Sequence, residues 1–296
     1  MAESAHAFLQ PGFLKKLERL RLVAKRLSWA GAKGEHPSQR RGFSLEFSDY
    51  KKYQGGDDLR YVDWNVYRRL EKLFLKVFTA EEEMNVYLLL DTSSSMAEGH
   101  PPKIEYAQSV AAALGYIGIK NLDRVGGGTF SSDLLSSLPL GRGKKQILTL
   151  FDFLGKLSCQ GNTDLHTSVK SFCSLFPRPG LVVLLSDLFD PHGTRAGLEE
   201  LKRKKYQVLV VHILDRSESH PELSGDVSLL DVESDRERRL FLDADMLRRY
   251  HQEVQRYFEE IEQCCLSRRM DYLRTTTATP FEDFVLLTLR QVRSVG

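Results

Sequence analysis

Oxygen-bearing side chains follow a short apolar segment in the first third of the chain. Residues 86–96 read Val-Tyr-Leu-Leu-Leu-Asp-Thr-Ser-Ser-Ser-Met. Asp91, Ser93 and Ser95 stand at positions i, i+2 and i+4, and their carboxylate and hydroxyl oxygens are hard ligands of the kind that Mg²⁺ prefers. The apolar residues before Asp91 predict a strand buried on both faces of a parallel sheet. The loop after such a strand lies at the carboxyl edge, where α/β proteins bind ligands, so this loop is a candidate site for a divalent ion.

Two further polar segments stand where the same sheet edge would need them. Gly161-Asn162-Thr163-Asp164 precedes a predicted helix, and Ser186-Asp187 follows a second apolar segment. If both apolar segments are parallel strands, their ends lie on one edge of the sheet. The predicted metal ligands are therefore Asp91, Ser93, Ser95, Thr163 and Asp187, for Mg²⁺ with Mn²⁺ or Ca²⁺ as alternatives. A simpler interpretation stays open, in which the first loop only turns and Thr163 or Asp164 caps the helix.

Strand-like and helix-like segments alternate from residue 84 onward, and their order predicts the scaffold that positions the site. The predicted strands are 86–90, 124–130, 181–186 and 207–214, and the predicted helices are 103–120, 144–157, 165–175 and 194–204. Such an alternation predicts an α/β fold with a mostly parallel central sheet and helices on both faces. The glycines at 126–128 predict a close-packed or irregular strand.

The flanking segments predict extensions on either side of this central domain. They comprise a helix at 13–29, a polar loop at 31–45, short strands at 74–78, 227–232, 239–242 and 272–277, and helices at 244–266 and 281–292. We therefore divide the chain into an N-terminal helix and polar segment that pack on the central domain (1–83), the central domain (84–222) and a C-terminal extension (223–296).

The first predicted helix is basic and amphipathic. Its leucines at 14, 17 and 20 and Val23 share a face, and its basic residues lie elsewhere. We favour a helix that packs on its own domain, because basic surface helices are common. Binding to a membrane surface or to nucleic acid through this helix is the alternative.

The composition bounds the class of protein. With 296 residues, of which 42% are hydrophobic and 28% charged, the chain is globular, and its net charge of +2 gives no reason to expect nucleic-acid binding. Four cysteines without paired spacing predict free thiols in a reducing compartment. No apolar segment approaches the ~20 residues of a membrane span, and no signal peptide is evident. We expect a cytoplasmic protein without membrane association.

Catalytic motifs fit poorly. The loop is not a G-x-S-x-G elbow, it carries no D-x-D carboxylate pair, and no phosphate-binding G-x-x-x-x-G-K-[ST] sequence occurs. We therefore predict a protein that is not an enzyme. The alternative is a metal-assisted hydrolase that uses the same ion, for which Glu98 and His100 are the nearest candidate bases. His212 stands in an apolar strand pattern and is interpreted as a hydrogen-bonded core residue.

The motif Asp91-x-Ser93-x-Ser95 with Thr163 and Asp187 resembles the metal-ion-dependent adhesion site of von Willebrand factor A (vWA) domains. Upstream, Gly42-Phe-Ser-Leu-Glu46-Phe47 and a segment from Tyr53 resemble the signature of the bacterial "domain of unknown function 58" family, whose members carry a vWA-like domain. The signature residues of that segment are Asp57, Asp58, Arg60, Asp63, Trp64 and Arg69. Together with the metal motif, the resemblance covers most of the chain from about residue 13 to its end.

The resemblance implies a Rossmann-like vWA domain that holds a divalent ion, usually Mg²⁺, whose open position accepts a carboxylate from a protein partner. It also implies cooperation with a MoxR-type AAA+ ATPase, as adaptor or substrate selector. For the upstream signature charges we favour an internal ion-pair network over a partner-binding surface, because mixed charges beside aromatic residues commonly satisfy each other.

Overall fold

The computed structural model describes residues 11–31, 45–80, 84–219, 221, 225–230 and 237–291. The chain forms two compact units, one comprising residues 1–30 and 84–296 and the other residues 31–83. This division differs from the one drawn from the sequence, because the N-terminal helix belongs with the central sheet and not with the signature segment. The expected packing of the signature segment on the central domain stays a prediction.

The elements follow the chain in this order. The strands are β1 (Leu45–Lys52), β2 (Phe74–Ala80), β3 (Asn85–Asp91), β4 (Arg124–Phe130), β5 (Leu134–Gly141), β6 (Leu181–Ser186), β7 (Gln207–Leu214), β8 (Gly225–Leu230), β9 (Glu237–Leu242) and β10 (Asp271–Thr276). The helices are α1 (Pro11–Gly31), α2 (Trp64–Leu70), α3 (Lys103–Lys120), α4 (Gly143–Gly155), α5 (Leu165–Leu175), α6 (Pro191–Arg203), α7 (Arg216–Ser219), α8 (Ala244–Ser267) and α9 (Phe281–Gln291). Short 3₁₀ turns lie at Leu59–Tyr61 and Ser94–Ala97.

The central sheet has the strand order β10-β7-β6-β3-β4-β5, and all neighbours are parallel except β4 and β5. The chain leaves β3 toward β4 and β5 on one side, then returns to β6, β7 and β10 on the other. The strand order therefore reverses beside β3. Open α/β sheets bind ligands at such reversals, outside the carboxyl ends of the strands.

Both faces of the sheet are buried under helices. Leu88 and Leu90 of β3 pack into a core with α1, α3, α4 and α9, whereas Tyr87 and Leu89 pack into a second core with α5, α6 and α8. Successive side chains of a strand point to opposite faces, which is why one apolar run serves two cores. The predicted α/β class is confirmed, with a mostly parallel sheet and helices on both faces.

Helix α1 packs on the unit that contains the central sheet. Leu17 and Leu20 are buried in its first core, and the ring of Phe13 stacks on Phe281 at 5.5 Å between centroids. Lys16 adds an ion pair to Glu282 at 2.6 Å. The favoured interpretation of this helix, packing on its own domain, is confirmed for these side chains. Within the described ranges, no helix is both long and apolar enough to span a bilayer.

Four elements were not predicted from the sequence, namely β1, α2, β5 and the short helix α7, and one predicted strand was assigned to the wrong part of the fold. β1 pairs with β2 in an antiparallel hairpin, α2 follows the 3₁₀ turn, and β5 closes the edge of the central sheet beside β4. The strand expected at 272–277 is β10, which pairs in parallel with β7 and is an edge strand of the central sheet, not part of a separate extension. The predicted signature residues 42–44 lie outside the described residues.

The glycine run in β4 allows two backbones to approach closely. Gly127 has a φ of 146°, and a Cβ at this position would lie 1.9 Å from the carbonyl oxygen of Leu88 in the next strand. The pairing of β4 with β5 shifts register on either side of this segment, between Val125 and Gly127 and between Thr129 and Phe130. The irregularity predicted for this strand is therefore present. Position 127 requires glycine, because its φ is positive and a side chain there would meet the backbone of Leu88.

Replacing Gly127 tests this close approach. Gly127→Ala should lower the free energy of unfolding by about 3 kcal/mol, because the methyl group meets main-chain atoms that cannot move aside and the backbone angle is strained. Urea denaturation followed by circular dichroism measures the change. The control is Gly12→Ala in α1, where no atom lies within 4 Å of the added carbon. Equal stabilities of the two variants would contradict the close-approach argument.

Candidate metal centre

Two carboxylates lie side by side at the ends of neighbouring strands. Asp91 is the last residue of β3, and Asp187 follows β6 directly. Leu90 is paired with Leu185 in the ladder, which places the two strand ends together. Both carboxylates are fully buried. The hydroxyl of Ser186 joins the two strands by donating to Asp91 Oδ2 at 2.6 Å.

The loop after β3 supplies hydroxyl oxygens beside Asp91. The backbone N–H of Ser93 donates to Asp91 Oδ1 at 2.9 Å, and this short turn directs the chain back toward the carboxylate. The Oγ atoms of Ser93 and Ser95 lie 3.1 Å apart. Ser93 is fully buried and Ser95 half-buried, so the pair extends from the interior toward the surface. The structure therefore brings together Asp91, Ser93, Ser95 and Asp187.

Main-chain hydrogen bonds hold the loop that carries Thr163 against the loop after β3. The carbonyl of Gly161 accepts from the Ser94 N–H at 2.9 Å, and the Gln160 N–H donates to the Thr92 carbonyl at 2.8 Å. Thr163 itself is half-buried in the loop that these hydrogen bonds hold in place. Asp164, not Thr163, caps α5, because its carboxylate accepts from the Thr167 N–H at 2.9 Å. Of the two residues considered in the sequence as caps of this helix, Asp164 has that role and Thr163 does not.

A lysine that the sequence motif does not include completes the cluster. Lys103, the first residue of α3, is fully buried, and its Nζ donates to Asp187 Oδ2 at 2.7 Å. The same ammonium also contacts the carboxylate of Glu218 in α7 and lies 5.4 Å from the ring centroid of Phe189. Lys103 is thus a bridge between two acidic side chains.

One sequence signal could have indicated Lys103. A lysine at the start of a helix opposes the helix dipole, whose N-terminal end is positive and favours acidic residues. Lys103 opens α3 directly after Pro101-Pro102. Such a placement is unfavourable unless acidic side chains elsewhere in the fold compensate the charge, as Asp187 and Glu218 do.

The electrostatics of the cluster favour an added cation. Burial, together with the charge of Asp187, raises the pKa of Asp91 to about 7, although Ser186 and Ser93 donate hydrogen bonds to it. Burial alone would lower the pKa of Lys103, but the charges of Asp187 and Glu218 raise it, so the ammonium stays charged. Burial raises the pKa of Glu218 despite the adjacent ammonium. The buried carboxylates are therefore only partly compensated by Lys103.

The residues present fit a hard divalent cation. Among the described residues, no group of three or more His, Cys, Asp and Glu side chains is arranged to hold a metal. An ion at this edge would therefore bind to Asp91 and Asp187 together with hydroxyl oxygens and water. Such a mixture suits Mg²⁺, which takes oxygen ligands and keeps several waters.

The histidine and glutamate considered as candidate bases do not join the carboxylates. Glu98 and His100 are exposed on the following loop.

His212 is fully buried, with Nε2 2.9 Å from the Asp187 carbonyl oxygen and Nδ1 2.7 Å from the Tyr272 hydroxyl. Burial lowers the pKa of His212 to about 4, so the ring is neutral, and Nε2–H donates while Nδ1 accepts. His212 is the hydrogen-bonded core residue that the sequence predicted.

The signature charges in the 31–83 unit pair with one another inside that unit. Asp63 caps α2 through the N–H groups of Asn65 and Val66, and it also accepts from the Tyr50 hydroxyl at 2.9 Å and from Lys76 at 3.2 Å. Burial raises the pKa of Asp63, but these hydrogen bonds prevail and lower it to about 2. The favoured interpretation of an internal network holds for this residue.

Two further pairs complete the network, and two signature residues lie outside it. Asp57 pairs with Lys51 at 3.2 Å, and Asp58 pairs with Arg60 at 2.6 Å. Trp64 and Arg69 are exposed on α2, and the ring of Trp64 packs edge-on against Tyr67 at 6.1 Å between centroids. The charges therefore stabilise the segment, whereas the exposed aromatic residues remain accessible in this unit.

The family model described as "Protein of unknown function DUF58" matches residues 49–260, which is most of the chain. The chain belongs to the DUF58 family. An uncharacterized protein of Mycobacterium tuberculosis strain H37Rv is 24% identical over 238 residues, which cover 79% of this chain and 75% of that protein. The matched DUF58 range includes the signature charges, the loop after β3 and the strand end at Asp187.

Solved structures superpose on this DUF58 chain only in part. The conserved hypothetical protein BatB from Bacteroides thetaiotaomicron gives a TM-score of 0.43 at 15% identity, covering 72% of this chain and 100% of BatB. The SpRpn10 VWA domain gives 0.41 at 12% identity, covering 70% of this chain and 95% of that domain. The α/β assignment rests on the sheet order and helix layers of the DUF58 chain itself.

The role of Asp63 in the DUF58 signature can be tested by hydrogen exchange. Asp63→Ala should speed exchange of the α2 amides about fivefold, because the helix loses its N-cap and Tyr50 and Lys76 lose their acceptor. Mass spectrometry of peptides over 64–70 measures the rate. Asp58→Ala is the matched control, since its contact with Arg60 is exposed and local. If both variants exchanged at the wild-type rate, Asp63 would not organise the segment.

Proposed function

We propose that this protein is a divalent-metal-dependent protein-binding module and not an enzyme. In this proposal Asp91, Ser93, Ser95, Thr163 and Asp187 hold one Mg²⁺ ion, directly or through water. The bound ion supplies an electrophilic position that takes an Asp or Glu side chain from a protein partner. The resemblance to vWA domains supports the same role for the loop.

The observation that carries the proposal is the pair of buried carboxylates beside β3, where the strand order of the sheet reverses. The hydroxyls of the loop after β3 extend from this pair toward the surface. Asp91 and Asp187 are fully buried, whereas Ser95 is half-exposed at the outer end of the hydroxyl pair. Hydroxyl ligands carry no charge, and Lys103 offsets one carboxylate. Because only two of the five proposed ligands are anionic, the open position of the ion can take a carboxylate oxygen from a partner.

We further propose that the partner machinery is a MoxR-type AAA+ ATPase, for which this chain acts as adaptor or substrate selector. This step is supported by the family resemblance alone. The exposed Trp64 and Arg69 of the signature are the candidate surface for that ATPase, because the acidic signature residues are engaged within their own unit.

Removing the central carboxylate tests the metal site. Asp91→Ala should weaken Mg²⁺ binding at least a hundredfold while the protein stays folded, because the ion loses a direct anionic ligand. Isothermal titration calorimetry measures the affinity, and circular dichroism checks the fold. The matched control is Asp152→Ala on α4, which removes an exposed carboxylate that pairs with Lys156 at 2.6 Å. An unchanged Mg²⁺ affinity in Asp91→Ala would contradict the assignment of the metal site to this loop.

The same variants test partner binding. All samples receive equal Mg²⁺ and nucleotide, so that the state of a purified MoxR-type ATPase is the same in every comparison. Wild type and Asp152→Ala should be retained on the immobilised ATPase, and Asp91→Ala should bind at least tenfold more weakly if the ATPase supplies the carboxylate. Equal retention of Asp91→Ala would show that the ATPase does not engage the ion.

An activity screen with phosphoester and peptide substrates tests the hydrolase alternative. Metal-dependent turnover that is lost in Asp91→Ala would contradict the binding function and favour the hydrolase.

A further inference from the structure

A fully buried lysine beside a candidate cation site is a competing cation. Lys103 Nζ donates to Asp187 Oδ2 at 2.7 Å, and its second partner is Glu218. Burying an ammonium is unfavourable unless it is paired and hydrogen-bonded. Lys103 is paired twice, so its position between Asp187 and Glu218 is stable without any added ion.

We propose that Lys103 is a tethered cation that shares Asp187 with the divalent ion, and that Glu218 is the anion that holds Lys103 when the ion is bound. The pair therefore sets the metal affinity of the site. This inference rests on the proposed metal-dependent function, because it concerns the regulation of that same site.

The hydrogen bonds of Asp187 favour such sharing. Lys103 uses one carboxylate oxygen, Oδ2, whereas Oδ1 has a longer contact of 3.4 Å to the Phe189 N–H. Oδ1 is thus the oxygen that remains for an ion or its water. Two positive charges on one carboxylate repel each other strongly in a buried site, so a bound ion weakens the hold of Asp187 on Lys103.

Glu218 is held in place beside the ammonium of Lys103. Its Oε2 accepts from the Asp215 N–H at 2.7 Å, while its Oε1 contacts Lys103. Its backbone carbonyl also accepts from the Tyr250 hydroxyl of α8 at 2.7 Å. These contacts fix both ends of Glu218, so Lys103 keeps one carboxylate partner in place when its bond to Asp187 weakens.

Counting charges gives the direction of each effect. With Asp91, Asp187 and Glu218 ionised, Lys103 leaves two negative charges, which match one divalent cation. Removing the ammonium leaves three negative charges and should tighten metal binding, whereas removing the Glu218 charge leaves one and should weaken it. A purely structural ion pair would change stability in both variants but would not move the affinity in opposite directions.

The experiment is a calorimetric titration of the metal-free 296-residue chain with Mg²⁺ alone. Lys103→Met should bind Mg²⁺ at least tenfold more tightly than wild type, and Glu218→Gln at least fivefold more weakly. The matched control is Lys120→Met at the other end of α3, about 25 Å away along the helix axis. This control makes the same change in net charge and should stay within twofold of wild type.

Mg²⁺ binding by the wild type separates this inference from the proposed function. If the wild type binds Mg²⁺, an unchanged or weaker affinity in Lys103→Met would overturn the inference and leave the proposed metal site intact. The absence of Mg²⁺ binding in both proteins would overturn the proposed function together with the inference. Binding by Lys103→Met alone would support the inference. If Lys103→Met does not fold, the Glu218→Gln variant tests the inference, because the glutamine side chain keeps a hydrogen-bond acceptor for Lys103. A Mg²⁺ affinity of Glu218→Gln equal to or tighter than that of the wild type would then overturn the inference.

Discussion

Two buried carboxylates at one edge of the sheet impose the main constraint on this structure. Asp91 and Asp187 are held together because β3 and β6 are parallel neighbours that end at the same level. Like charges in a dry site repel strongly, so the surrounding structure must donate to them. Ser186 donates to Asp91 and Lys103 donates to Asp187. These hydrogen bonds stabilise the two carboxylates, yet the cluster retains negative charge that an ion would neutralise.

The scaffold holds the hydroxyl ligands mainly through the backbone. Main-chain bonds connect the loop after β3 to Phe130 at the end of β4 and to Gln160 and Gly161 in the loop before α5. These contacts involve only N–H and C=O groups, and the Ser93 N–H adds a hydrogen bond to the Asp91 carboxylate. The hydroxyls of Ser93 and Ser95 lie 3.1 Å apart in the loop that follows Asp91. A site arranged in this way loses little conformational freedom on binding.

The sequence predicted the parts of this site that depend on local pattern. An apolar run followed by Asp91 indicates a buried strand and its loop, and a second run before Asp187 places another carboxylate on the same edge. Lys103 could not be found in this way, because its partners lie 84 and 115 residues away and no periodicity relates them. Strand β5 was missed since its segment contains Pro139 and half of its residues face solvent at the sheet edge. The place of β10 beside β7 likewise follows from pairing between distant segments.

The signature segment shows how charges in a sequence motif can mislead about recognition. Asp57, Asp58 and Asp63 have partners within the 31–83 unit, so their carboxylates already serve to close turns and cap a helix. A partner that sought those charges would have to break the contacts that shape the surface it binds. Two aromatic side chains of α2 are exposed among other polar and apolar residues of the unit, with Trp64 60% exposed and Tyr67 42% exposed. Recognition through this unit would bury exposed aromatic surface of α2, beside exposed basic side chains of the same helix such as Arg69.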